Sequence, residues 1–208
     1  MDDRIFALCE LSNDLLFHKI PRERLMYYVD NSLAEGYQAA AEYSGVDLEE
    51  LYRIKKIKVE YQKDGKSAFG LAYRGQITLA KDGCSLVVFR SSIQALAENS
   101  RDGLYPPLDY EQARKIHLAH EFFHYLEFEK QRFVPEMLDP ITTFQVFGLK
   151  RRARINRCSE VAAHAFAKSF LGLSVMPNYY DYLYLINTGA MSDGGMQNKL
   201  AECGGMLQ

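Results

Sequence analysis

No two of the four cysteines, Cys9, Cys84, Cys158 and Cys203, stand close enough along the chain to form a C-x-x-C pair. Neither a zinc ribbon nor a disulfide staple is therefore expected, and free thiols in a reducing cytosol fit best. A basic surplus is missing too: 25 Lys and Arg against 27 Asp and Glu leave a formal net charge of -2. Nothing in that balance draws the chain toward nucleic acid or an anionic membrane, so neither is expected as a direct partner. No apolar run approaches the length of a membrane span. The opening stretch, MDDRIFALCELSNDLLFHKI, carries acids where a signal peptide needs bases, and the expected location is cytoplasmic. Internal repeats and long linkers are also absent.

What is present is an ordinary globular composition, 48% hydrophobic and 25% charged over 208 residues. That is enough for one sizeable core, so a single domain is expected. Residues 1–56 form its helical N-terminal portion and 191–208 a flexible, Gly-rich tail. Apolar residues recur every three or four positions at Ile5, Leu8, Leu11 and Leu15 and again at Leu25, Tyr28, Val29 and Leu33, with Pro21 between; two helices follow. Asp47 is placed to cap a short third helix with an acidic first turn. A helix-turn-helix is the rival reading of residues 40–53, but a DNA-reading second helix should be basic and this one is acidic.

The period then changes. Residues 57–61, 68–73, 76–80 and 85–90 are short β-rich runs split by Lys63-Asp64-Gly65, Arg74-Gly75 and Lys81-Asp82-Gly83, which predicts a small antiparallel sheet. Helical pattern returns over 91–99, 108–130 and 155–171, and the Tyr-rich stretch 178–187 reads as another helix. Between Pro135 and Arg154 no period is clear.

Residues 117–127 read HLAHEFFHYLE and contain H-E-x-x-H at His120, Glu121 and His124. Two imidazoles four apart project from one face of a helix and can share one metal, while the intervening Glu sits about 100° around, beside the water such a metal activates. Ile116, Ala119, Phe123 and Leu126 make one apolar side and Leu118, Phe122 and Tyr125 another, leaving His117, His120, His124 and Glu127 in the remaining stripe. A helix apolar on both flanks is buried, and buried titratable groups need partners. A metzincin arrangement is excluded, because Glu127 stands where that pattern needs Gly and Lys130 where it needs His. A third donor must come from elsewhere. Glu160 and His164 share a face of the later helix, beside the small residues Ala163 and Ala167 that let helices approach closely. By periodicity alone Glu160 reads equally well as a solvated helix-start acid.

The stretch RKIHLAHEFFHYL, followed by EVAAHAFAKSFLGL, resembles the ImmA/IrrE family of bacterial and phage metallopeptidases, whose pattern is R-x-F-T-x-A-H-E-x-G-H and then E-x-x-A-N-x-F-A. Arg114, Ala119, His120, Glu121, His124, Glu160, Ala163, Phe166 and Ala167 stand in matching places. The resemblance implies a zincin-like α+β fold, with N-terminal helices, a small antiparallel sheet and the H-E-x-x-H helix packed on a second helix. It implies Zn2+ as cofactor, His120, His124 and Glu160 as its ligands and Glu121 as general base. His164, His117 and Glu127 are then supporting or electrophilic candidates around the metal. Three departures matter: Phe123 replaces the usual Gly and His164 the usual Asn, which makes the pocket bulkier and more basic. The longer interval between His124 and Glu160 leaves room for an inserted loop.

By the same resemblance, the expected activity is hydrolysis of a peptide bond in a protein partner, a helix-turn-helix repressor being the family's known kind of substrate. An extended substrate strand would add to an exposed edge of the small sheet. The alternative, motivated by Phe123 and His164, is a non-catalytic zinc-binding sensor or scaffold that regulates a DNA-binding partner. Two features stay open. Lys150, Arg151, Arg152, Arg154 and Arg157 read either as a solvated loop and helix start or as a dock for an acidic partner. Tyr179, Tyr180, Tyr182 and Tyr184 read as packing or, in one case, as an oxyanion donor.

Overall fold

The computed structural model describes residues 2–63, 67–68, 71–72, 74–81 and 83–207. Polar side chains start several of its helices. Asp2 accepts the Arg4 N–H at the start of α1 (Asp3–Leu11). After two single 3₁₀ turns come α2 (Leu25–Glu42) and then α3 (Leu48–Ile54), where Asp47 accepts the Glu50 N–H as expected of a cap. Leu48, Leu51 and Tyr52 of α3 are buried, and the Tyr52 hydroxyl donates to the Leu118 carbonyl. That face is committed to the core and is not a DNA-reading surface.

Strands β1 (Lys58–Gln62), β2 (Ser67–Ala68), β3 (Leu71–Ala72), β4 (Gly75–Ala80) and β5 (Gly83–Phe89) follow. The run expected over 68–73 falls partly outside the described residues. The main sheet has the order β1-β5-β4, and β5, buried at Leu86, Val88 and Phe89, is its centre. β4 pairs antiparallel with β5, but β1 runs parallel to it, with Val59 opposite Leu86. The expectation of an antiparallel sheet is thus corrected to a mixed one. Turn signals fix where strands end, whereas the partner of β1 is settled by non-local burial that no turn encodes.

Helix α4 (Arg90–Glu98) leads to α5 (Tyr110–Lys130). At its start Asp109 accepts the Gln112 N–H while the Gln112 side chain accepts the Asp109 N–H, a reciprocal capping box. The interval without a clear period holds a short helix α6 (Val134–Met137) and a hairpin of β6 (Ile141–Val146) and β7 (Leu149–Ala153). Its two-residue turn has positive φ at both Phe147 and Gly148, the geometry that a twisted tight hairpin requires. The basic run therefore lies mostly on a strand. Helix α7 (Arg157–Leu171) ends at Gly172, whose φ of 66° is cheap only for glycine. α8 spans Asn178–Asn187, and the stretch expected as a flexible tail forms α9 (Asp193–Met206). α9 lies on α1, with Met196 and Cys203 buried and Cys203 Sγ 2.9 Å from Cys9 Sγ. All four cysteines are free thiols.

Among the described residues, the buried hydrophobic side chains other than Phe89 form one cluster. At its centre α7 is pressed between α2 and α5. Seven of its residues, Cys158, Val161, Ala162, Ala163, Ala165, Phe166 and Ala167, are fully buried, and Gly36 of α2 lets the two backbones nearly touch. A Cβ at Gly36 would fall 2.2 Å from the Ala162 carbonyl oxygen and 2.7 Å from the Ala165 Cβ. No rotamer change relieves a clash with backbone. Gly36→Ala should therefore lose stability by about 1–3 kcal/mol through overpacking, despite up to about 1 kcal/mol of gained helix propensity. Gly205→Ala in α9, where nothing lies within 4 Å, should be neutral or stabilising. Urea unfolding of the two variants checks the contrast.

Candidate metal centre

Two sequence-distant helices build one cluster of donors. On α5, His120 and His124 are one turn apart and both lean toward α7, their Nε2 atoms 3.2 Å from each other. Glu160, on the first turn of α7, brings Oε2 to 3.2 Å from His120 Nε2 and Oε1 to 3.7 Å from His124 Nε2. One donor atom from each of the three lies within 4.8 Å of the others. Two ring nitrogens and a carboxylate oxygen so placed need a proton or a metal cation among them. Nitrogen and oxygen ligands at about 2.0–2.1 Å in a tetrahedron sit about 3.3 Å apart, so the observed spacings fit a metal ion.

The surroundings fix which nitrogen faces that point. His124 Nδ1 lies 3.0 Å from Glu127 Oε2, an oxygen that can only accept, so Nδ1 carries the proton and Nε2 is left with its lone pair. Glu127 is itself buried at 5% exposure and held by the Ser159 hydroxyl and the Val134 N–H. It is therefore a positioning group for His124 and no part of the donor cluster. His164 also stays outside that cluster, its ring packed on His120 at 4.8 Å between centroids, with a buried Nδ1 unpartnered among the described residues. His117 packs against the sheet: its Nε2 would be 2.2 Å from a Cβ at Gly75, so glycine is required there.

Burial alone would lower the His120 pKa, but the Glu160 hydrogen bond and the charges of Glu160, Glu121 and Glu10 outweigh it and raise it to about 9. The reciprocal effect holds Glu160 well below the ordinary carboxylate range, burial notwithstanding. His117 is pushed down to about 3 by burial and then by the charge of His120, and His164 is pushed down by the same two causes. Glu121 is set apart from the donors. Its Oε1 is 3.8 Å from the neutral His117, too long for a hydrogen bond, and no hydrogen bond to its carboxylate is made among the described residues. A carboxylate with free lone pairs can accept a proton.

The donors open on two sides. A cleft of ≈ 250 Å³ is lined by His117, His120, Glu160 and His164 together with Glu10, Arg74, Arg157 and Asp181. Arg74 is held there by an ion pair to Asp181, and Arg157 by one to Glu10 at 2.9 Å. Burial raises the Glu10 pKa against the pull of Arg157. A second groove of ≈ 530 Å³ runs from Ile77 and Leu79 of β4 past His124 and Glu160 to Arg154 and Asn156. Phe123 lines neither. It packs on Phe166 with centroids 5.8 Å apart and borders α2, so the expected crowding of the pocket by Phe123 does not occur. The tyrosines are packing groups: Tyr179 accepts the Leu104 N–H, Tyr180 donates to the Pro106 carbonyl, and the Arg74 guanidinium lies over Tyr184. Glu10, Arg74 and Asp181 were not legible in advance, because each comes singly from a different element with no motif around it.

Comparison with models of protein families, with curated proteins and with solved structures gives no match to this chain.

Two outcomes follow for metal binding. Because His120 is held protonated near neutral pH, uptake of a divalent cation at pH 7 should release about one proton from it, measurable by calorimetry in buffers of different ionisation enthalpy. Glu127→Gln should weaken metal affinity about 10- to 100-fold without removing a donor, whereas Glu160→Ala should nearly abolish retention during dialysis against a weak chelator. Unchanged affinity in Glu127→Gln would refute the positioning role.

Proposed function

We propose that this chain is a zinc-dependent metallopeptidase of the zincin type that hydrolyses a peptide bond in a protein partner, with His120, His124 and Glu160 holding the zinc and Glu121 as general base. The observation that carries this reading is the convergence of His120 and His124 Nε2 with the Glu160 carboxylate, at 3.2 to 3.7 Å, beside a Glu121 carboxylate that no described group engages. When bound, zinc supplies Lewis acidity, polarising a carbonyl and bringing the pKa of water to about 7.

The chain's own groups would do the rest. Glu121 takes a proton from the attacking water and returns it to the departing amine. Glu127 keeps the His124 proton on Nδ1, so that His124 stays a donor through Nε2. Arg74, held by Asp181 at the rim, puts a fixed positive charge beside developing negative charge on the substrate. β4 is paired on one side only among the described strands, and its Ile77 and Leu79 line the groove that contains His124. An extended peptide added along that edge would pass the donors. The resemblance to the ImmA/IrrE family points to a helix-turn-helix repressor as the partner cut in this way.

The alternative of a metal-holding sensor without turnover loses one of its two motives, since Phe123 turns into the core. Incubation with candidate repressors, followed by mass spectrometry of the products, separates the two readings. Cleavage should be stopped by a chelator. Glu121→Gln should keep its zinc while the rate falls at least about a hundredfold. Loss of zinc in that variant, or undiminished cleavage, would show the role of Glu121 to be wrong.

A further inference from the structure

The chain between the two donor helices carries a surface that the proposed chemistry does not use. Among the described residues, four of the ten exposed large apolar ones lie on the β6–β7 hairpin: Phe144 at 57% exposure, Val146, Leu149 at 76% and Phe147, which is fully exposed at the turn. Val146 faces Leu149, Phe144 faces Arg151 and Gln145 faces Lys150 across the ladder. Alternation along each strand puts Phe144, Val146, Leu149 and Arg151 on one side and Gln145 and Lys150 on the other. One face of the ribbon thus carries the uncovered apolar side chains Phe144, Val146 and Leu149 with the Arg151 cation among them, and Lys150 stands on the other face of the same narrow ribbon. A lone two-stranded ribbon gains little stability from itself, and an apolar face of this kind marks a contact surface.

Charge selects the occupant. The hairpin and the residue after it contain Lys150, Arg151, Arg152 and Arg154 and no acid, whereas the remainder of the chain is net acidic. Among the described residues, no carboxylate forms an ion pair with Lys150, Arg151 or Arg152, so the charge of this run is not neutralised within the chain. A broad anionic membrane would meet the acidic remainder as well as the hairpin, whereas a narrow acidic segment meets the hairpin alone. Position adds a second argument. Arg154 and Asn156, directly beyond β7, line the groove that holds His124 and Glu160, so whatever lies on the hairpin is delivered beside the donors.

We propose that the β6–β7 hairpin is a docking surface for a polypeptide segment that combines acidic residues with large apolar ones. That the docked polypeptide is also the substrate rests on the peptidase reading; the docking itself does not. The test is selection from a degenerate peptide library on the zinc-loaded Glu121→Gln protein, in which binding is read without cleavage, so a failure of the peptidase reading leaves the result intact. Peptides retained should be enriched in Asp and Glu together with Phe, Leu and Ile. Recovery should drop at least about tenfold in a Phe144→Ser, Leu149→Ser variant and in a Lys150→Glu, Arg151→Glu, Arg152→Glu variant. Both sets of positions are exposed, so unfolding midpoints and zinc content should stay unchanged. The proposal is overturned if the retained pool shows no acidic enrichment or if neither variant reduces recovery. It is equally overturned if the hairpin proves to bind phosphatidylglycerol vesicles in place of peptides, or if sedimentation shows a dimer that the apolar variant dissolves.

Discussion

The close approach of α7 to its two neighbours sets everything else in the molecule. Ala162 and Ala165 meet Gly36 of α2 with no room for one more carbon, and Phe166 wedges against Phe122 and Phe123 of α5. α7 is held by backbone and by short side chains that have no rotamers to shift, so its position relative to α5 has little slack. That rigidity is what a shared donor cluster needs. Glu160 hangs from the first turn of α7, His120 and His124 from the middle of α5, and a shift of one methyl group's width at the helix contact would carry the carboxylate out of reach of the imidazoles.

The electrostatics follow from the packing. Four imidazoles and three carboxylates meet around the contact, largely out of water, and each arrangement assigns a different task. His120 and Glu160 favour each other's charged forms, while His117 and His164, equally enclosed but without a carboxylate in hydrogen-bonding contact, stay neutral. Glu127 is engaged at both oxygens and orients a neighbour; Glu121 accepts no hydrogen bond among the described residues. Residues of one chemical type, within two turns of one helix, differ in role because of what their environment leaves free. The proposed division between ligand, base and positioning group rests on that difference.

Much of this was legible in the sequence for reasons that are local. The i, i+4 spacing of His120 and His124, the Asp109 and Asp47 caps, Gly172 as a stop and the limits of α8 all depend on residues within a turn or two. Glu160 was readable only as one of two helix-face donors, and its partnership with α5 needed the three-dimensional contact. The parallel pairing of β1 with β5, the turn of Phe123 away from the cleft, and the roles of Glu10, Arg74 and Asp181 are non-local and left no periodic trace. The β6–β7 hairpin escaped for a different reason: an uncovered ribbon has apolar residues outside, which inverts the pattern by which strands are recognised. The expected tail after Met191 went unread as α9 because five glycines after 188 lower helix propensity, while burial of Met196 and Cys203 against the core offsets that loss.

The central claim is that a metal is held by two imidazoles and one carboxylate across the α5–α7 contact. X-ray absorption at the zinc edge of the zinc-loaded protein tests it most directly. The account predicts a shell of nitrogen and oxygen at about 2.0–2.1 Å with the outer scattering of two imidazole rings and no sulfur. A sulfur shell at about 2.3 Å, a third imidazole, or zinc that washes out of the wild-type protein would contradict it.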